Sequence, residues 1–164
     1  MKQSGFTLLE LLIALIVLSI LSGLAAPGLS DLWQAQQRLV AARELAGGIR
    51  AARVAAITRH QQVSIQALGE DWSQGWQIIA EHNQQRPDGP VLLERVLNGK
   101  LRIVGNSKVA QKLTFSELGG LRGGGNGTIH VCLRDQPVSH YRVVVAITGN
   151  VRVVERQTDQ PLCG

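Results

Sequence analysis

Gly5-Phe6-Thr7-Leu8-Leu9-Glu10, followed by an uncharged run from Leu11 to Ala26 and closed by Pro27, is the stretch on which the reading of this chain turns. From Phe6 to Ala26 there are 21 residues, about 31 Å as a helix, enough to cross the hydrocarbon core of a bilayer. The centre, Leu11-Leu12-Ile13-Ala14-Leu15-Ile16-Val17-Leu18, is apolar all round. Such a helix is surrounded by lipid or by other helices and does not dock amphipathically on a surface. Glu10 is the single carboxylate of the run, with no basic residue beside it. A charge there costs roughly 2.5 to 3.5 kcal/mol at a bilayer centre on insertion scales, so it needs a partner. A cut between Gly5 and Phe6 would create one, because the new α-amine lies one helical turn from Glu10, on the same chain or on a neighbour.

Lys2 is the only charge before the span, and retention of positive charge on the cytoplasmic side places the remaining chain across the membrane. A conventional secretory signal with a small-x-small site at Gly23-Leu24-Ala25 is the rival reading. Against it, an ordinary signal has no use for Glu10, and its apolar stretch is usually about 7 to 15 residues. The string from Gly5 to Glu10 closely resembles the class III signal of type IV pilins and pseudopilins. The resemblance implies a leader over 1–5, cleavage after Gly5 by a prepilin peptidase, methylation of the Phe6 amine, and a role for Glu10 in assembly. It also implies a helix bend at Pro27, where a missing N–H and a crowded preceding turn kink or break the helix. The span is assigned to 6–30.

Behind it, Asp31 to Gly164 amount to 134 residues, enough for one head domain with its own core. Cys132 and Cys163 are the only cysteines, and an even count outside the cytoplasm reads as one disulfide. Closing a loop of about 30 residues stabilises a fold by roughly 3 to 4 kcal/mol on the chain-entropy model.

Ser30 is placed to cap a renewed helix with Asp31 in its first turn. Over 31–59, Leu39, Ala42, Leu45, Ala46, Ile49, Ala52 and Ala56 recur at three- and four-residue spacing and predict one apolar stripe, reaching about Ile57, packed on the head. Arg38, Arg43, Arg50, Arg53 and Arg59 fall mostly off that stripe and read as a solvated or subunit-facing surface. From 60 to 164 the period changes. Val63 to Leu68, Trp76 to Ala80, Val91 to Val96, Leu101 to Val104, Leu113 to Phe115, Thr128 to Leu133, Tyr141 to Ile147 and Val151 to Arg156 are short β-branched runs between Gly, Asn, Asp and Pro. They predict an antiparallel meander. Its last hairpin is expected to turn on Gly149-Asn150 as a two-residue loop, with Thr148 opposite Val151 and Ile147 opposite Arg152.

One long N-terminal helix followed by a β-rich antiparallel head gives an α+β, pilin-like fold. It is similar to the GspH/FimT family of minor pilins and pseudopilins over nearly the whole length. The likeness is carried by the first 60 residues, including Ala51-Ala52-Arg53-Val54-Ala55-Ala56-Ile57, by Gly75-Trp76, by the strand holding Cys132, and by the closing hairpin. The family implies a low-abundance subunit, anchored once in the inner membrane with a periplasmic head, then built into a filament with other minor and major pilins. A type IV pilus is expected over a type II secretion pseudopilus.

Charge is uneven along the head: net +3 over 31–59, −4 over 60–94 and +6 over 95–164. The basic last part permits an electropositive face toward nucleic acid or acidic partners. Some FimT-like proteins bind DNA through a Gly-Arg-x-Arg motif, and the corresponding residues here are Gly149-Asn150-Val151-Arg152, with Asn in place of the first arginine. Arg152, with Arg156, Arg142 and Lys112 to complete a patch, would hold double-stranded DNA nonspecifically and in a salt-sensitive way. Enzyme chemistry is not expected. His60, His82, His130 and His140 are scattered, His130-x-Cys132 lacks four-ligand spacing, and Gly123-Gly124-Gly125-Asn126-Gly127 lacks the Lys-Ser/Thr of a phosphate loop. No cofactor or metal is implied.

Overall fold

The computed structural model describes residues 7–81, 89–123, 126–155 and 161–163, with the backbone alone for 24–27. The elements are α1 (Leu8–Arg59), β1 (Val63–Ala67), β2 (Gly75–Ala80), β3 (Val91–Val96), β4 (Leu101–Gly105), β5 (Lys112–Phe115), β6 (Gly127–Leu133), β7 (Gln136–Val145) and β8 (Val151–Glu155). The chain divides into two compact units, Met1–Gln36 and Gln37–Gly164.

In the first unit every Leu, Ile and Val from Leu8 to Leu21 is exposed. Ser19 and Ser22 donate their hydroxyls to the carbonyls of Ile16 and Leu18, each at 2.8 Å, which satisfies both groups inside the helix. No single described helix is long and apolar enough to cross a membrane. Two limbs, Leu8–Gly23 and Gly28–Arg59, meet that standard together as a bent pair. Pro27 lies in the break between them, where its missing N–H weakens the helix. The backbone stays helical through Ser30, so Ser30 does not open a separate helix.

In the second unit the predicted stripe is buried: Ala42, Leu45, Ala46, Ile49, Ala52 and Ala56 are all 0% exposed. Ile57 falls outside it, exposed at the helix end. The stripe packs into one core with Val63, Ile65, Trp76 and Ile78 from one sheet and Ile103, Ile129, Val131 and Val143 from another. Small residues let the sheet approach the helix closely. A Cβ on Gly48 would lie 2.5 Å from the Trp76 indole nitrogen.

The strands match the predicted runs closely, but they do not form a meander. There are two four-stranded sheets, in the orders β3-β2-β1-β5 and β4-β6-β7-β8. β5 returns to β1, and β4 skips β5 to pair with β6. The cross-links between the sheets are local: Trp72 donates its indole N–H to the carbonyls of Val109 and Ala110 at 3.1 and 2.8 Å. The Ile103 N–H on β4 donates to the Ser73 hydroxyl at 2.9 Å.

β7 begins five residues earlier than expected, at Gln136 opposite Leu133. Between the pairs Val131–Tyr141 and Leu133–Gln136 the register shifts, and β7 bulges away from β6. The freed backbone takes the C-terminal segment instead: Val138 bridges Pro161, and the Cys163 N–H donates to the Pro137 carbonyl at 3.2 Å.

The last hairpin differs from the predicted one. Val145 pairs Val151 and Val144 pairs Arg152. The Gly149 N–H donates to the Ala146 carbonyl, the Ala146 N–H to the Asn150 carbonyl, each at 2.8 Å, and Gly149 has φ 80°. This is a three-residue loop, a turn over Ile147 and Thr148 followed by a left-handed glycine, rather than a two-residue turn at Gly149-Asn150. The change of register decides the face of Arg152, which now shares a side with Val144 instead of Ile147.

Candidate functional site

At the N-terminal end, Gly5 and Phe6 lie outside the described residues. Thr7 sits just before α1, and its hydroxyl accepts the Glu10 N–H at 3.3 Å while its carbonyl accepts the Leu11 N–H at 3.2 Å. Thr7-Leu8-Leu9-Glu10 thus has the Thr-x-x-Glu spacing of a capping box, a local signal the sequence reading passed over. Glu10 is exposed in the first turn of the helix and has no ion pair among the described residues.

Cys132 and Cys163 form a disulfide, with Cα atoms 6.5 Å apart and both residues fully buried. Together with the Cys163–Pro137 hydrogen bond and the Val138–Pro161 bridge, it fastens the C-terminal segment over β6 and β7.

The second sheet has two chemically different faces. Tyr141, Val143, Val145 and Val151 point into the core. On the other side, β8 presents Arg152 and Val154, β7 Arg142 and Val144, β6 Thr128 and His130, and β4 Arg102 and Val104, by the alternation and pairing of the strands. Arg152 and Arg102 are exposed and Arg142 is half-buried. None of these three guanidinium groups has an ion pair or hydrogen bond among the described residues. No carboxylate of these four strands shares their face: Glu155 lies on the Tyr141 side and accepts the Tyr141 hydroxyl at 3.3 Å. Burial, reinforced by Glu155, pushes the Tyr141 phenol above its ordinary pKa.

His130 donates to or accepts from the Ser139 hydroxyl at 3.1 Å. Burial, and secondarily the charge of Arg142, holds its imidazole below the usual range. His140 is lowered too, by burial first and then by Arg38.

Of the predicted patch, Arg152 and Arg142 come together on neighbouring strands as diagonal neighbours. Lys112 does not join them in the same sheet. It lies on β5 and is ion-paired with Glu81. Arg156 lies outside the described residues. Arg102, which sequence reasoning did not single out, shares the outer face; its only signal was the alternation Leu101-Arg102-Ile103-Val104.

Two helix arginines expected on a solvated surface turn out to be fasteners. Arg50 Nη2 donates to the Val151 carbonyl and Arg53 Nε to the Gly119 carbonyl, each at 3.0 Å. Arg38 is buried, 8% exposed. Strand-edge and turn carbonyls beside the helix need donors, and long guanidinium side chains reach them from off the stripe. Among the described residues no group of three or more His, Cys, Asp or Glu could hold a metal ion.

Comparison with known proteins agrees with this architecture. Residues 1–26 match the prokaryotic N-terminal methylation motif. The pilin-like protein PilA1 of Thermus thermophilus is 39% identical over 90 residues, a match spanning 55% of this chain and about half the length of that protein, 56%. Among solved structures, the type IV minor pilin FimU of Pseudomonas aeruginosa superposes with a TM-score of 0.65 at 20% identity, covering 78% of this chain and 97% of FimU. The minor pseudopilin EpsH of Vibrio cholerae superposes at 0.50 and 13% identity, covering 71% and 94%. Both likenesses are of fold. Residues 41–149, two-thirds of the sequence, match the family model described as type II transport protein GspH, and the chain accordingly belongs to the GspH family of minor pilins and pseudopilins.

Proposed function

We propose that this chain is a minor pilin of a type IV pilus, cut after Gly5 by a prepilin peptidase, methylated on Phe6, and built into the filament through its N-terminal helix. The observation that carries the reading is the exposed apolar helix from Leu8 to Leu21 with Glu10 as its one charge. That surface requires lipid before assembly and neighbouring helices after it. The carboxylate requires a cation, and a neighbour's Phe6 amine supplies it. On this reading the chain is held once in the inner membrane with its head in the periplasm, and then enters a filament with other minor and major pilins, where it promotes assembly and twitching motility. Pro27 provides the bend between the limbs of the helix. The match to the methylation motif favours this processing over a conventional signal peptide. Mass spectrometry of the mature chain tests it: N-methyl-Phe6 is expected, and a start at Ala26 or Pro27 would overturn it.

A role as a pseudopilin of a type II secretion system is the second reading, favoured by the description of the matching family model. The cationic outer face of the head tilts the choice to the pilus. Loss of twitching with secretion intact in a deletion strain supports that choice, and the reverse phenotype supports the pseudopilin.

DNA binding at the tip is the finer part of the proposal. Arg152 and Arg142 provide two uncommitted charges on one face, with Arg156 and Lys112 named from sequence alone. A salt-weakened mobility shift with plasmid DNA is expected, reduced by Arg152→Ala; no shift at low ionic strength would remove this part.

A further inference from the structure

The character of α1 changes at Pro27. Before the break the apolar residues run all round the helix, as in Leu11 to Leu18; after it they are confined to one side. Leu29, Leu32 and Trp33 stand at i, i+3 and i+4 and share one face, while Ser30, Asp31 and Gln34 occupy the flank and the opposite side. All three are open in the structure, at 66%, 67% and 66% exposed. Trp33 is the one exposed aromatic residue among those described, since Trp72, Trp76, Phe115 and Tyr141 are buried in the head. An all-round apolar helix suits hydrocarbon, and a one-sided one suits the boundary between hydrocarbon and water. Resting on the membrane-anchored reading above, we propose that Leu29, Leu32 and Trp33 form a collar in the phospholipid headgroup layer on the head side of the bilayer, with Trp33 fixing how far the helix emerges before assembly.

Length places the collar there. Ala26 closes a run that fills a hydrocarbon core of roughly 30 Å, and the headgroup layer adds about 5 to 8 Å on each side. Trp33 comes seven residues after Ala26, about 10 Å of straight helix. Two features offset that overshoot. Helical side chains lean back toward the N-terminus and cover the turn before their own Cα. The break at Pro27 also bends the helix, so each later residue rises less along the bilayer normal. The side chain fits the layer chemically as well. An indole is apolar over its rings but carries an N–H that needs an acceptor, and lipid ester and phosphate oxygens supply one. The Trp33 indole has no hydrogen bond among the described residues. Charge points the same way, because no Lys or Arg lies between Lys2 and Arg38 and none near the emerging end reaches back to phosphate. Anchoring at this end therefore falls to the indole and its two leucines, and it should depend neither on anionic lipid nor on salt.

The test uses the tryptophan fluorescence of the full-length chain in zwitterionic phosphatidylcholine vesicles at a high ratio of lipid to protein. Trp72 and Trp76 are 1% and 2% exposed, so the emission lost in Trp33→Phe reports on Trp33. Two lipid-borne quenchers are compared, a nitroxide near the ester end of the acyl chain and one near its methyl end, together with water-soluble acrylamide. The disulfide between Cys132 and Cys163 checks head folding in each variant. Expected are quenching of the Trp33 emission about twofold or more stronger by the shallow nitroxide than by the deep one, with no change on raising salt. In Leu29→Gln/Leu32→Gln, acrylamide should reach Trp33 several-fold more readily. Stronger quenching by the deep nitroxide would put Trp33 inside the hydrocarbon and overturn the collar. Full access of acrylamide without lipid quenching would put it in water and overturn it too. Shielding from acrylamide without quenching by either lipid would mean that another protein chain covers the face, and the collar would again be wrong. In these three cases flotation of the chain with the vesicles keeps the membrane anchor. A chain that does not float loses the anchor and the collar together.

Discussion

The two units of this chain satisfy the same requirement in opposite ways. In Gln37–Gly164 the apolar stripe of α1 is buried inside the protein, and even its arginines reach inward to Val151 and Gly119. In Met1–Gln36 the helix keeps its described apolar side chains exposed or half-exposed, and Glu10, amid the apolar run, has no ion pair among the described residues. The head carries its own solvent-excluded interior, whereas the N-terminal helix, on the function proposed above, borrows one from lipid or from other subunits. Substitutions in the head should therefore alter stability, and substitutions in the N-terminal helix should alter placement.

The sharpest way to break this contrast is Glu10→Ala. Processing after Gly5 should persist, while incorporation into filaments should fall by about tenfold or more, the scale set by an unpaired charge in an apolar setting. Immunoblots of sheared filaments against membrane fractions measure it. Normal incorporation would contradict the borrowed-partner account of the first unit.

On the head side, replacing Cys132 and Cys163 together by Ser should cost about 3 to 4 kcal/mol, from reopening the loop between them. A thermal melt of the full chain in detergent should show a lower transition for the head, with membrane insertion unchanged. Loss of insertion would break the contrast from the other direction.

Gly149→Ala should cost about 1 to 3 kcal/mol. The position has φ 80°, and a Cβ there would meet the Gly119 carbonyl at 2.0 Å. Chemical denaturation measures the loss, and an unchanged midpoint would mean that the two turns separate freely. Arg53→Met keeps most of the stem and removes the hydrogen bond to Gly119; a loss of about 1 to 2 kcal/mol is expected by the same measurement.

The smallest effect concerns pH. The His130 imidazole is held below its unfolded value by burial and then by Arg142. Between the unfolded and folded pKa values the unfolded chain binds more protons, so head stability should fall as pH drops below about 6.5 and level off beneath the folded pKa. His130→Gln should flatten that dependence in a series of melts, and an unchanged slope would assign it to other groups.

The N-terminal methylation motif was legible because its evidence is local: Gly5, Phe6 and Glu10 at fixed spacing, followed by an apolar run. The strands were legible for the same reason, since β-branched runs bounded by turn residues mark themselves. Their partners were not. β5 pairs with β1 across three intervening strands, and nothing within Lys112–Phe115 records that choice. The closing hairpin was misread because Gly149-Asn150 satisfies a two-residue turn on composition, whereas the hydrogen bonds place the glycine after a turn over Ile147 and Thr148. Periodicity located Arg50 and Arg53 off the stripe without showing how far a guanidinium reaches. Arg102 was overlooked because a cation in a short strand acquires meaning only when its neighbours in the sheet are known.

The bonds from Arg50 and Arg53 have a mechanical consequence. Both tie the helix to backbone carbonyls, one on β8 and one at the turn that packs on Gly149. A pull along the 37–59 segment would load these links sideways, in parallel with the buried stripe, so the helix could not slide past the sheet without breaking them together. In a subunit subject to tension, that arrangement makes the closing hairpin part of the load path rather than a passive outer loop.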